Sequence, residues 1–310
     1  MAHLSVVLGA LGPVFALIVL GLGLRRSGFP GDEFWPAAER LTYFLLFPAL
    51  LLHRLALARL DQYAVGPVLG VIVGMLLAMS ALLYLLRPWL RVNGPAFTSV
   101  YQGVIRFNSY VGLAVVLAVL PPAGGVVAAL VMAIMIPLIN VLCVLVLSVH
   151  AGGTATLGGV TRGLLRNPLI LACLAGIALS LSGIGLPWGT AALLEILARA
   201  ALPLGLLAVG AGLHLEGLRR PGLLVAASAL KLLGLPLLAA LLCALLGAGA
   251  LETAVLISFA ALPGASTAYI LARQMGGDAP LIAAIVSVET ALALVTLPLV
   301  LTGVVAGLAA

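Results

Sequence analysis

Residues 106–112 read Arg106-Phe107-Asn108-Ser109-Tyr110-Val111-Gly112, RFNSYVG, in the middle of a hydrophobic run. AFTSVYQGVI precedes them and LAVVLAVL follows. An apolar stretch of that length predicts a helix across a bilayer, which needs about 20 such residues. Polar side chains and free backbone groups inside it are costly unless they face protein or a wet cavity. Asn108 and Ser109 are good N-cap residues, because a short side-chain oxygen accepts from the first free N–H groups of a helix. The stretch therefore predicts a broken helix, with a new half-helix capped at Asn108 and Ser109.

The rest of the chain supplies the setting. Of its 310 residues 64% are hydrophobic and 8% are charged, where soluble domains carry about 25% charged residues. Such a chain cannot build a polar shell, so lipid must be the solvent for most of its surface. An all-α integral membrane protein is expected. The formal charge of +6 does not point to nucleic acid. The charges sit at the ends of apolar runs, with no basic face interleaved with aromatics. Cys143, Cys173 and Cys243 fall inside apolar runs and read as small core residues, without metal spacing or a disulfide framework. His3, His53, His150 and His214 sit at the edges of apolar runs. No HExxH, DDxxD, P-loop or GxSxG motif occurs. Catalytic residues, a metal and a cofactor are therefore not expected, nor is an enzyme. Positive charge follows the first apolar run, at Arg25 and Arg26, which is the reverse of a signal peptide.

The ruler of about 20 residues gives ten segments. They are 4–24, 34–53, 64–86, 95–119, 125–149, 167–183, 190–213, 222–247, 251–273 and 280–304. Their uniform apolarity lacks the alternation of barrel strands, so helices are expected. Arg25 and Arg26, Arg87 and Arg91, Arg162 and Arg166, Arg219 and Arg220, and Arg273 mark one set of connections. Only Arg54 and Arg59 mark the other. The positive-inside rule then places both termini outside the cytoplasm.

Three markers recur at a shift of 155: Pro13 and Pro168, Pro48 and Pro203, Asn108 and Pro263. Residues 1–150 and 151–310 then form two repeats of five segments, and an odd number inverts the second. Inverted repeats with discontinuous helices mark secondary transporters whose site lies near the midplane. The fourth segment of each half has the most polar interior. In the second, Pro263 lacks an N–H and clashes with the turn before it, so Pro263-Gly264 reads as a stop followed by a fresh helix start at a proline. Ser258, Ser266, Thr267 and Tyr269 surround it. Two half-helix N-termini meeting there would favour an anion. The blander reading of one such segment is a kink.

Charged residues within the segments complete the candidates. Glu39 and Arg40 read as an interface pair, and Glu195 and Arg199, spaced i, i+4, as a packing pair. Lys231 has no carboxylate within a turn, so it either finds a distant partner or helps bind an anion. Glu289 is similarly alone, and can pair with Lys231, hold a coupling proton or face the cavity. Arg106 either snorkels or draws anions to the break. Asn140, near Pro137, reads as packing.

With these residues in view, the chain resembles the auxin efflux carrier family, whose prokaryotic members include malonate and related organic-acid carriers. The likeness covers essentially the whole chain and rests on NSYVG at 108–112, RNP at 166–168, KLLGLP at 231–236, and ALPG with AYILARQ at 261–274. It implies ten helices in two inverted five-helix repeats, with broken, crossing helices 4 and 9, a bile acid symporter/NhaA-like transporter fold. It also implies a scaffold of helices 1, 2, 6 and 7 and a transport domain of helices 3–5 and 8–10. The asparagine that contacts substrate carboxylate in the family corresponds to Asn108, and the proline of the second break to Pro263. Unlike plant carriers, Gly112-Leu113-Ala114 holds no proline and the loop at 150–166 is short, so auxin and phospho-regulation are not implied.

The expected function is elevator-type transport of a small organic anion at the cell (inner) membrane, with lipid as the surrounding partner. The site would comprise Arg106, Asn108, Ser109, Tyr110, Pro263, Gly264, Ser266 and Thr267, with Lys231 and Glu289 as charge or coupling residues. A homodimer through the scaffold helices is compatible with this plan. The alternatives are a sodium- or proton-coupled symporter of the bile-acid-carrier type and a membrane receptor that binds without transport.

Overall fold

The computed structural model describes residues 2–152, 162, 165–187, 189–213 and 220–309. Most of the loop at 150–166, His214 and Arg219 lie outside the described residues. Among the described residues the regular structure is helical, without strands. In chain order the helices are α1 (Ala2–Arg26), α2 (Phe34–Leu41), α3 (Phe47–Ala56), α4 (Val65–Leu90), α5 (Gly94–Ile105), α6 (Ser109–Val119) and α7 (Gly124–His150). They continue with α8 (Pro168–Ser182), α9 (Thr190–Ala211), α10 (Pro221–Ala229), α11 (Leu235–Leu246), α12 (Ala250–Ala260), α13 (Thr267–Met275) and α14 (Ala279–Ala309).

Seven helical stretches among the described residues are long and apolar enough to cross a membrane, including Gly94–Val119 taken through its break. Pro168–Ser182 and Ala250–Ala260 are apolar but shorter. The stretch from Phe34 to Ala56 is helical throughout but carries Glu39, Arg40 and Arg54, and is not among the seven. Exposure is the reverse of a soluble protein's. Trp89, Leu181, Val149 and Leu237 are 71–76% exposed, while Lys231, Glu289, Gln102 and Ser99 are 0% exposed. Broad exposed apolar surface of this kind is stable only against lipid.

Two π-helical turns follow from proline chemistry. Thr42–Leu46 joins α2 to α3, and Leu230–Gly234 joins α10 to α11. Pro48 and Pro236 follow directly, in the first turn of the next helix. Each proline lacks the N–H that would close an α-helical bond and crowds the carbonyl four residues back. Widening the turn relieves that crowding: Phe47 N–H donates to Thr42 C=O, and Leu235 N–H to Leu230 C=O. Such single wide turns concentrate at functional sites.

α1 packs along α9, and α3 packs on α8 and α9. Glycine sets the first contact: a Cβ at Gly21 would overlap the Leu207 carbonyl, and one at Gly210 the Ile18 carbonyl. α5 lies against α7 and α14, and α12 against α11 and α14. α6 touches both sets, reaching α1 and α9 as well as α7.

The two expected interruptions are present. α5 ends at Ile105 and α6 begins at Ser109; α12 ends at Ala260 and α13 begins at Thr267. The fresh start expected at Pro263 is corrected, since the helix resumes four residues later with Ser266 at the N-cap position. Tertiary hydrogen bonds explain the delay. The Pro263 carbonyl accepts from Asn108 N–H at 2.9 Å, and Gly264 N–H donates to Glu289 Oε2 at 2.8 Å. Both groups are thereby withheld from a helical turn.

Candidate functional site

Asn108 shows how the first break is made. Arg106 and Asn108 are in extended conformations, with ψ of 154° and 106°. Asn108 Oδ1 then accepts from Tyr110 N–H at 3.1 Å and Val111 N–H at 3.2 Å, capping α6. The side chain is only 3% exposed. With its oxygen committed to the cap, its NH₂ is left to donate elsewhere.

A cavity of ≈ 110 Å³ opens beside the two breaks. Arg106, Asn108, Ser109 and Tyr110 line it from the first break, and Ala265, Ser266 and Thr267 from the second. Tyr43, Asn140 and Asn167 complete its polar wall, and Ile136, Ile139, Leu169 and Phe107 its apolar one. Of the expected residues, Pro263 and Gly264 do not line it. They are buried behind the wall, where the Pro263 carbonyl and the Gly264 N–H make the two hydrogen bonds just described. Lys231 and Glu289 are also absent from the lining and fully buried.

Three helix N-termini reach this cavity. α6 is capped by Asn108 and α13 follows Ser266. α8 is the third: Asn167 Oδ1 accepts from Leu169 N–H at 3.0 Å and Ile170 N–H at 3.3 Å, and Pro168 fixes the first turn. Each terminus carries about half a positive charge, with most of its first N–H groups already held by the caps. Arg106 adds a full charge. Its Nη2 donates to Asn140 Oδ1 at 2.7 Å, while Nη1 is buried without a hydrogen-bond partner. Tyr110 is held by an edge-on contact with Phe47, ring centroids 4.9 Å apart, and by Gly205, where a Cβ would come within 2.9 Å of its ring. The arrangement can hold a small anion without a metal or a covalent step.

Two readings of polar residues change. Asn140 is the acceptor for Arg106 and lines the cavity, so it orients the guanidinium as well as packing α7. Glu39 does not pair with Arg40, because successive helical residues point apart. Arg40 is exposed, and Glu39 Oε1 accepts from Ser266 Oγ at 3.3 Å at the second break. Glu195 and Arg199 do pair, at 2.7 Å. Tyr43 and Asn167 carried no signal of their own in the sequence. Asn167 stood in the RNP motif, whose Asn-Pro order is that of an N-cap followed by a first-turn proline.

A lipid-facing helical protein with a polar, positively ended cavity between broken helices has the build of a membrane transporter. Residues 6–301 match the membrane transport protein family, and the chain belongs to that family, the one that contains the auxin efflux carriers. It is also 28% identical to an uncharacterized transporter of Methanothermobacter thermautotrophicus, over 92% of this chain and 94% of that protein.

Proposed function

We propose that this transporter is a secondary carrier of small organic anions, binding a carboxylate between the two breaks and moving it by an elevator-type exchange. The carrying observation is the convergence of three helix N-termini and Arg106 on one cavity. Fixed dipoles and a cation at one point favour negative charge. The Asn108 NH₂ and the hydroxyls of Ser109, Ser266 and Thr267 would complete the carboxylate's hydrogen bonds. The cavity is small beside the roughly 300–1,000 Å³ of sites for drug-sized ligands, which supports an anion of few atoms over a large aromatic acid.

Under this reading residues 1–150 and 151–310 are inverted repeats, with the broken spans α5–α6 and α12–α13 crossing. α1, α2–α3, α8 and α9 form the scaffold, through which a homodimer would assemble, and the remaining helices move. Both termini face outward from the cell membrane. The packing of α1 and α3 on α8 and α9 supports this division. The test is counterflow of labelled malonate in proteoliposomes of the purified protein. Exchange above empty liposomes is expected, and at sub-saturating malonate it should fall at least about tenfold in Arg106→Gln. Absence of exchange with malonate, acetate and lactate alike sinks the substrate class, and a terminal reporter scoring cytoplasmic sinks the orientation.

A further inference from the structure

Behind the second break lies a group of buried polar side chains that the anion site does not use. Glu289 on α14 and Lys231 in the turn between α10 and α11 are both 0% exposed. Glu289 Oε2 holds Gly264 N–H, but Glu289 Oε1 and Lys231 Nζ have no hydrogen-bond partner. Lys231 acts electrostatically on Glu289 without closing to an ion pair. Ser228 Oγ, three residues before Lys231, and both polar atoms of Gln102 on α5 are likewise buried and unpartnered. Seven such atoms occur among the described residues, and five belong to these four side chains. The elements that carry them, α5, α10, the turn and α14, pack on one another. The Gly103 carbonyl of α5 lies 3.6 Å from where a Gly264 Cβ would stand.

Unpartnered buried polar groups are rare and call for a water, an ion or a proton. A metal ion is disfavoured by the ammonium already present. Among the described side chains, the other titratable groups on elements packed against α14 are Tyr101 and Arg106 on and after α5, Glu252 on α12, Tyr269 and Arg273 on α13, and Arg25 and Arg26 ending α1. None of these acts on Glu289, which leaves Lys231 as its charged partner.

We propose that Lys231 and Glu289 form a proton site that couples anion transport to a proton, signalling to the cavity through the Gly264 amide. This rests on the anion-carrier reading above. A proton from the medium on one side adds to the Glu289 carboxylate, crosses with the anion and leaves to the medium on the other; only that O–H bond forms and breaks. Loading takes the Lys231–Glu289 pair from net zero to one positive charge, which favours an anion nearby. It also turns a charged acceptor into a weaker neutral one, loosening Gly264 two residues from Ser266 in the cavity wall. Glu289 therefore reports its proton to the break that shapes the anion site.

The test uses proteoliposomes with the membrane potential clamped and labelled malonate as probe. A gradient of one pH unit corresponds to about a tenfold concentration ratio per proton, so wild type accumulates malonate up to about tenfold when the compartment of origin is acidic. Glu289→Gln mimics the loaded state, so it keeps counterflow but loses that accumulation. Lys231→Met with Glu289→Gln, which keeps the two positions neutral, behaves likewise. A pH jump without malonate should give a transient charge displacement in wild type and none in Glu289→Gln. Malonate inactive in wild type counts against the anion reading, while the pH-jump current still decides the proton site. The proton site is overturned if Glu289→Gln retains the current, if accumulation follows a sodium gradient instead, or if both variants lose counterflow together with thermal stability, which would make the pair structural.

Discussion

Asn108 has two jobs that different substitutions separate. Its oxygen caps α6 through Tyr110 and Val111 N–H, and its NH₂ is the proposed donor to the anion. Asn108→Ala removes both. Loss of an N-cap costs about 0.5–2 kcal/mol, and orphaning buried donors adds about 1–3 kcal/mol. The shift per kcal/mol shrinks with chain length, from roughly 2–4 °C at 150–250 residues to about 1–3 °C at this size, so the melting temperature should fall by about 3–8 °C. Asn108→Asp restores a cap of equal rank, so its melting temperature should stay near wild type. It replaces the donor with a negative charge, however. Repulsion at about 4 Å and an effective dielectric of about 20 is worth about 4 kcal/mol, close to a thousandfold in affinity. Scanning fluorimetry with a malonate titration measures both quantities on one sample. Asn108→Asp binding malonate within threefold of wild type refutes the donor role. Asn108→Ala melting with wild type refutes the cap.

Other sites give simpler outcomes. Arg106→Gln removes the only full positive charge lining the cavity among the described residues; a hydrogen bond to a charged group is worth about 1.5–3 kcal/mol, so malonate affinity in the same titration should fall at least about tenfold, with Arg106→Lys recovering part of it. Gly21→Ala drives a methyl into the Leu207 carbonyl, whereas a Cβ at Gly23 on the same helix meets nothing within 4 Å. Overpacking costs about 1–3 kcal/mol, so Gly21→Ala should melt several degrees lower and Gly23→Ala no lower than wild type; equal melting of the two would refute the close approach of α1 and α9. Glu195→Gln breaks an exposed ion pair, and exposed pairs contribute little, so an unchanged melting curve is expected.

The proline at 263 and the asparagine at 108 were readable as breaks because each states its chemistry locally. One cannot continue a helix, and the other offers an oxygen to a free N–H. The position where the second helix resumes was not readable. It depends on Glu289 taking Gly264 N–H and on Asn108 N–H taking the Pro263 carbonyl, partners 25 and 155 residues away in the chain. Asn140, Asn167 and Glu39 were ambiguous for the same reason. A lone polar residue on an apolar helix has the same sequence signature whether it packs, pairs or faces a cavity.

The sequence alone determined the solvent of this protein, the order of its helices and the two positions at which they break. These follow from composition, length and the backbone chemistry of proline and asparagine, which act within a few residues. The tertiary structure decided which breaks and helix ends meet. It brought the α8 N-terminus to the same cavity as those of α6 and α13, turned Glu39 from Arg40 to Ser266, and buried Lys231 beside Glu289 away from lipid. Such pairings are set by how helix faces pack. In a chain whose faces are nearly all apolar, hydrophobic periodicity does not encode that choice, and the close approach of small residues and a few buried polar groups makes it.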